Sequence, residues 1–328
     1  MAKAPRNKTL ELTEQDIDKL ESKLISLHEE VSISFIKNKI INQDLLEAIK
    51  FVPKKSVSLL FMDPPYNLTK KYNATVFNEK SYKEYYDLFK EWFVKILPLL
   101  KDDASVYVCS EWKTSSIIFD ILNNYTNVQN RIVWKRDKGR GSKTNWKNNS
   151  EDVWFCTLSN DYYFDVDSVK EYKSVVAPYR NKKGDAKDWY NSKNGNKFRL
   201  THPSNIWTDL TVPFWSMAEN TSHPTQKPEK MLARIILASS KETDIVLDPF
   251  LGSGTTAVVS KKLNRNFIGI EREKKYCLYA LKRLENADKD QRIQGYVNGV
   301  FMPRNINKKT MNNELKPKKD QKQLKFFK

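Results

Sequence analysis

The spacing of apolar and polar positions along the chain changes period several times, and each change marks an element. From Thr13 a T-x-x-D cap opens a stretch with apolar residues at Ile17, Leu20, Leu24, Leu27 and Val31. That three-to-four spacing predicts a helix with one narrow apolar stripe, preceded by a disordered lead over residues 1–12. The stripe suits docking onto the chain's own core better than pairing with a second copy. "SVSLLFMD" (56–63) is a short apolar run between turn signals, which predicts a buried strand. Ser81 and Glu84 form a capping box for a helix with Tyr85, Leu88, Phe89, Trp92, Phe93 and Ile96 on one face. Further strands are predicted over 105–109, 131–134 and 152–157.

Between about 158 and 222 periodicity fades among Lys, Asn, Tyr and Trp, which reads as an inserted, mostly irregular module. Regular structure resumes with Pro228 at the start of a helix over "MLARIILASS". "DIVLDPF" (244–250), "GTTAVVSKKL" and "NFIGIE" (266–271) then give strand, helix and strand. This alternation predicts an α/β fold with a doubly wound, mostly parallel sheet. Beyond Asn298 the chain reads as a loosely ordered basic tail.

Hydrophobic residues make up 39% of the 328 positions and charged residues 30%, ordinary for a soluble domain with a full core. No apolar run approaches the roughly 18 residues that span a bilayer, and the first residues lack the apolar segment of a secretory signal. A cytoplasmic protein without membrane contact is expected. Cys109, Cys156 and Cys277 form no C-x-x-C pair, so with His28, His202 and His223 they make a zinc or disulfide framework a poor reading. No metal is expected. Charge changes the picture: Lys+Arg 57 against Asp+Glu 40 leaves +17, and the excess is clustered. "WKRDKGRGSKTNWKNNS" (134–150) interleaves aromatics with Lys135, Arg136, Lys138, Arg140, Lys143 and Lys147. Clustered cations of this kind gain from counterion release on a polyanion, so a nucleic acid is the expected partner.

Two stretches carry candidate chemistry. The strand over 56–63 runs into "DPPY" (63–66), where Asp63 and Tyr66 flank a rigid turn at a strand exit. The strand "IVLDPF" runs into "LGSGTT" and a helix, the strand, glycine turn and helix of a nucleotide-type site. Glu271, 17 residues after Gly254, ends the next strand near the offset of a ribose-binding acid. The loop is neither G-x-G-x-x-G nor followed by a GK[ST] element. An adenosine ligand with a carboxylate tail, such as S-adenosylmethionine, fits it better than a dinucleotide or triphosphate.

"DPPY" (63–66), "HPTQKP" (223–228) and "DPFLGSGTT" (248–256), in this order, resemble the amino-group DNA methyltransferases of bacterial restriction–modification systems. The order, with the glycine loop 185 residues after Asp63, resembles the family's beta group, and the resemblance covers roughly Lys37 to Glu285. It implies a Rossmann-like methyltransferase sheet carrying an inserted target-recognition module. The implied organisation is an N-terminal extension with one helix (1–36), a catalytic half (37–157), a recognition insert (158–222), a cofactor-binding half (223–297) and the tail (298–328). It implies S-adenosylmethionine held by Asp248, Phe250, Gly252, Ser253 and Gly254, with Glu271 on the ribose. His223, Thr225, Gln226 and Lys227 would hold its methionine end, and Asp44 would stand near its adenine. Double-stranded DNA is the implied partner, with Arg199, Trp189, Tyr190 and Trp207 as candidate contacts in the insert, where some of these aromatics are expected instead to form the insert's own small core. A homodimer and a cognate restriction endonuclease are further partners that such enzymes can have.

The implied reaction is methylation of the exocyclic N6 of adenine in a flipped-out base, with cytosine N4 as the alternative. The Asp63 carboxylate and the Pro64 carbonyl would accept from the amino group, Pro65 would stiffen the turn, and Tyr66 would stack on the base. Aspartate in this motif favours adenine, since serine is commoner for cytosine. Methylation at cytosine C5 needs a nucleophilic cysteine, typically after proline; here the cysteines follow Val108, Phe155 and Tyr276. RNA and protein-glutamine methyltransferases carry similar tetrapeptides but generally place the glycine loop first. A catalytically silent DNA-binding subunit would use the basic loop and tail without cofactor affinity.

Overall fold

The computed structural model describes residues 4–136, 143–174, 180–184, 190–191 and 197–304. Its strands are β1 (Lys39–Asn42), β2 (Val57–Met62), β3 (Lys70–Tyr72), β4 (Thr75–Phe77), β5 (Leu100–Ser110), β6 (Asn127–Lys135) and β7 (Ser150–Thr157). They continue as β8 (Glu171–Ser174), β9 (Tyr190–Asn191), β10 (Lys197–Thr201), β11 (Ile206–Trp207), β12 (Ile245–Asp248), β13 (Asn266–Glu271), β14 (Tyr296–Val297) and β15 (Val300–Phe301). The helices are α1 (Glu14–Glu21), α2 (Ile33–Ile36), α3 (Leu45–Ala48), α4 (Tyr82–Ile96), α5 (Ser115–Tyr125), α6 (Glu229–Ser239), α7 (Thr255–Lys262) and α8 (Lys274–Lys289).

Among the described residues eight strands form one sheet, in the order β1-β13-β12-β2-β5-β7-β6-β11. The first five are parallel, and β7 runs antiparallel between β5 and β6. Alternation along β2 and β5 sets the two layers. Leu60, Met62, Val106 and Val108 pack with Phe89 and Phe93 of α4 and Ile118 and Ile121 of α5. Leu59, Phe61, Tyr107 and Cys109 pack with Met231, Ile235 and Ile236 of α6 on the other face. A one-residue slip would exchange these sets, so the pattern fixes the register. The predicted doubly wound sheet is present, with longer β5 and β6 than the apolar runs alone indicate. Because β2 connects through α4 towards β5 while β12 connects through α7 towards β13, the chain diverges between β2 and β12. That divergence opens a crevice at the strands' carboxyl ends.

Three stretches differ from expectation. The Thr13–Asp16 capping box forms, but α1 stops at Glu21 instead of continuing to Val31. Ile25 turns to pair with the edge strand, bonding Ile40 at 3.3 Å and accepting from Asn42 at 2.9 Å. Satisfying the exposed backbone groups of β1 outweighs nearly three further turns of helix. Ile17, Leu20 and Leu24 pack against the α8 cluster, so the apolar stripe is spent on the chain's own core. The lead is ordered from Asn7: Lys8 N–H donates to the Trp215 carbonyl (2.6 Å) and Leu10 N–H to that of Asn220 (2.8 Å).

The segment read as irregular contributes β8, β9 and β10 to a five-stranded second sheet, ordered β14-β15-β8-β10-β9, and returns β11 to the main sheet. The supposed tail supplies β15, which pairs with β14 just before it, and Phe301 and Met302 are buried. Two apolar residues in a basic stretch give no periodic signal, yet they close the junction between the sheets. Residues 305–328 lie outside the described chain.

Candidate active site

The crevice collects strand ends. β2 delivers Asp63 to Tyr66, β12 delivers Pro249 and Phe250, β13 ends on Glu271, and β1 leads to Gln43 and Asp44. One cleft is lined by Asp44, Asp63, Pro64, Pro65, Tyr66, His223, Thr225, Lys227, Phe250, Gly252 and Glu271. The sequence-predicted residues therefore converge from three distant segments. Asp44 also caps α3, accepting from the Leu46 N–H at 2.9 Å.

On the β13 side, the Glu271 carboxylate accepts from the backbone N–H of Gly252 (2.9 Å) and of Glu273 (2.8 Å). Burial raises its pKa and those two bonds pull it back. Gly252 adopts φ +53, and a Cβ there would meet His223 Nε2 at 3.0 Å. His223 packs edge-on to Tyr276, 4.4 Å between rings, and burial depresses its imidazole to about 3, so it is neutral. Its Nδ1 accepts from the Thr225 N–H at 3.3 Å.

Four predicted cofactor residues stand behind the cleft. Asp248 is buried, accepts from Thr256 Oγ1 (2.5 Å) and the Phe250 N–H (3.1 Å), and is pushed by burial up to about 7. Gln226 accepts from the Thr221 N–H (3.0 Å) and donates to the Glu219 carbonyl (2.6 Å), which locks the 219–227 loop. Gly254 adopts φ +84 with a virtual Cβ only 2.4 Å from that of Ala280, so it is glycine for helix packing. Ser253 is buried, with its carbonyl held by Arg283 at 2.9 Å. Local sequence places such residues near a ligand but does not say which side of the loop they take.

The cleft also has walls that periodicity did not reveal. Half-buried Trp92, on the apolar face of α4, meets Phe250 edge-on at 5.0 Å. The β3–β4 hairpin brings Tyr72, Thr75 and Phe77 over the cleft, and Asn73 (3.1 Å) and Thr75 donate to Glu273.

The acceptor side is a buried charge network. Lys227 Nζ donates to both oxygens of Asp63 at 2.6 Å. It also lies 3.6 Å from Glu151 and 5.3 Å from the Tyr66 ring centroid. The Tyr66 hydroxyl donates to Glu151 at 3.1 Å, and Arg136 pairs with the other Glu151 oxygen. Burial raises the Asp63 carboxyl and Lys227 opposes it; burial would depress Lys227, but Asp63 and Glu151 outweigh it and raise its pKa. Glu151 reaches this site because β7 is antiparallel and starts where β2 and β5 end. Sequence reasoning missed Glu151; an acid at the opening of a strand just after the basic loop is the one local signal that could have found it. The Tyr85 hydroxyl donates to the Pro65 carbonyl (3.0 Å) and fixes the turn.

Residues 57–282 match the sequence profile of a family described as DNA methylase, N6_N4_Mtase. The chain belongs to this DNA methylase family. It is 32% identical over 255 residues to the type II methyltransferase M.HpaI of Haemophilus parainfluenzae, covering 76% of this chain and 74% of that one. It is 34% identical over 259 residues to the DNA adenine methyltransferase YhdJ of Escherichia coli K12, covering 76% and 83%. The PvuII DNA methyltransferase (cytosine-N4-specific) shares the fold at a TM-score of 0.56 and 19% identity, over 80% of this chain and 88% of that one.

In this methylase Lys135, Lys143 and Lys147 are exposed around the β6–β7 loop, at the same edge as the cleft. Arg136 differs from expectation, since its guanidinium is committed to Glu151 and lies 5.7 Å from the Trp134 ring. Lys138, Arg140 and Trp189 lie outside the described residues, as does the side chain of Tyr190. Arg199 is half-buried on β10 of the second sheet. Trp207 is buried in the main sheet with Arg234 5.1 Å over its ring, so it is core and not a DNA contact. Among the described residues no group of His, Cys, Asp and Glu could hold a metal ion, and no helix is long and apolar enough to cross a membrane.

Proposed function

We propose that this methylase transfers the methyl group of S-adenosylmethionine to the N6 amino group of adenine in duplex DNA. The observation that carries the reading is Asp63 at the end of β2, beside an aromatic face, opening into the same cleft as Glu271. The cleft fits the cofactor by its donor set. Glu271 is anchored to receive ribose hydroxyls, Phe250 and Trp92 form an apolar slot, and neutral His223 and Thr225 line the same cleft. S-adenosylmethionine supplies an electrophilic methyl group there.

The chain's own residues then act on the base. Tyr66 offers its ring to an adenine that has left the duplex. Asp63 and the Pro64 carbonyl accept the two amino hydrogens, which localises the nitrogen lone pair and aims it into the cleft. A fixed carboxylate stabilises most when the nitrogen turns cationic, so its contribution falls in the transition state. The Tyr66–Glu151 and Tyr85–Pro65 hydrogen bonds keep these groups from reorienting, which is the positional part of the rate. Aspartate at position 63 and similarity to a relative named as an adenine methyltransferase favour adenine over cytosine.

Target recognition falls to the second sheet and the 158–222 segment, and Lys135, Lys143 and Lys147 contribute backbone affinity. A cognate endonuclease belongs to the same reading, in keeping with the relatives' naming as type II methyltransferases, and a homodimer is proposed beside it. The test is incubation with S-adenosylmethionine and bacterial DNA from a methylation-free host, followed by nucleoside mass spectrometry. N6-methyldeoxyadenosine is expected. N4-methyldeoxycytidine would overturn the base assignment, and no methylated nucleoside would overturn the activity.

A further inference from the structure

Lys227 touches the two features that a target amino group needs. Its ammonium donates to both oxygens of Asp63 at 2.6 Å and lies 5.3 Å from the Tyr66 ring centroid. A base stacked on Tyr66 and donating to Asp63 must use the same ring and one of the same oxygens. The ammonium is delivered from a rigid backbone: the Lys227 carbonyl accepts from Thr255 Oγ1 at 3.0 Å, and Gln226 is locked beside it. A second carboxylate, Glu151, stands 3.6 Å from the same nitrogen and is already oriented by Tyr66 and Arg136.

We propose that Lys227 is a positioning residue that keeps Asp63 ionised and occupies the amino-group subsite, and that base entry transfers its ammonium from Asp63 to Glu151. This rests on the reading of Asp63 as the amino-group acceptor. An isolated buried carboxylate drifts to its neutral form, whereas one held by a cation stays ready to accept. With three donors on one nitrogen, Lys227 changes partner through a small side-chain rotation and is never left unpaired. Handing over to Glu151 keeps the network's charge balanced, because two carboxylates and two cations remain in contact before and after. The role differs from the one that "HPTQKP" suggests, in which Lys227 would hold the methionine end of the cofactor.

Other titratable groups face this pair and shape any pH profile. Cys109 of β5 and Asp248 of β12 approach from the sheet, Lys70 and Tyr72 from the hairpin, and His223 from its own loop. Lys227→Met removes the cation while these neighbours stay, and Lys227→Arg restores a charge.

The test pairs calorimetric titration of S-adenosylmethionine with single-turnover methyl transfer to unmethylated bacterial DNA between pH 5.5 and 9. Lys227→Met should bind the cofactor within about threefold of wild type. Its transfer rate should rise with pH at a midpoint displaced upward by about one unit or more, the size of an opposite charge beside a carboxylate. Lys227→Arg should return the midpoint. An unmoved midpoint, or a cofactor affinity loss beyond about tenfold, would overturn the proposal and return Lys227 to cofactor binding. If Lys227→Met does not fold, Glu151→Gln decides: it should cut turnover at least about tenfold with cofactor affinity intact, and unchanged turnover would overturn the hand-over. Full activity of Asp63→Asn would instead sink the acceptor reading itself, a separable outcome.

Discussion

Gly252 donates its backbone N–H to the Glu271 carboxylate at 2.9 Å, so the glycine turn after β12 and the end of β13 form one rigid corner. A carboxylate held this way keeps its remaining lone pairs aimed into the cleft. Glu271→Ala should weaken S-adenosylmethionine binding about 10–100-fold, the scale of one or two hydrogen bonds to a charged group. Calorimetric titration measures it, and an unchanged affinity would remove Glu271 from the ribose.

Gly254 has a different duty from Gly252. Its φ of +84 and the 2.4 Å approach of a virtual Cβ to Ala280 make it a packing glycine at the start of α7. Gly254→Ala should destabilise the fold by about 2–4 kcal/mol through left-handed strain and overpacking. The expected signature is a lowered melting temperature, with cofactor affinity of the folded fraction within about threefold. A ligand-cradling glycine would show the reverse.

The β3–β4 hairpin is fastened by Asn73 and Thr75 to Glu273, on the residue before α8. Glu273→Ala frees the hairpin from the cleft wall. The KM for S-adenosylmethionine should rise about three- to tenfold while the melting temperature moves little, because one partly exposed tether is lost and no core is opened. Steady-state kinetics with cofactor varied would check it.

Sequence period carried the main sheet, because Leu59 to Met62 and Val106 to Cys109 alternate between two apolar layers and cannot slip. It also carried the strand ends, since Asp63 and Glu271 close apolar runs. What it missed depends on distance. Ile25 abandons a helical pattern because β1, 14 residues on, has an unsatisfied edge. Glu151 enters the site only because β7 runs antiparallel, and topology is not written in a local window. Lys227 illustrates the limit within a motif: the hexapeptide places it near a cofactor, but its side chain is long enough to cross to Asp63.

His223 titrates far from its ordinary value of 6.5, being depressed to about 3 by burial and then by Lys227. Below pH 6.5 the unfolded chain protonates this ring and the folded chain does not, so stability is lost as pH falls towards 3. His223→Asn removes that term. Urea denaturation at pH 6.5 and pH 4 should show a drop smaller by about 2–3 kcal/mol in the variant, at 1.36 kcal/mol per unit. Equal drops would mean the ring is protonated in the folded state.

In the proposed reaction Asp63 accepts the target amino group while other residues hold the cofactor, and Asp63→Ala separates the two roles. Lys227 keeps Glu151 as a partner in that variant, so the cleft retains its walls. Titration of S-adenosylmethionine into the variant should give an affinity within about threefold of wild type. Methyl transfer to unmethylated DNA should fall by at least about a thousandfold, the upper scale for loss of one preorganised transition-state contact. Retained turnover would remove Asp63 from the reaction, and loss of cofactor affinity in step with activity would place it in the cofactor site instead.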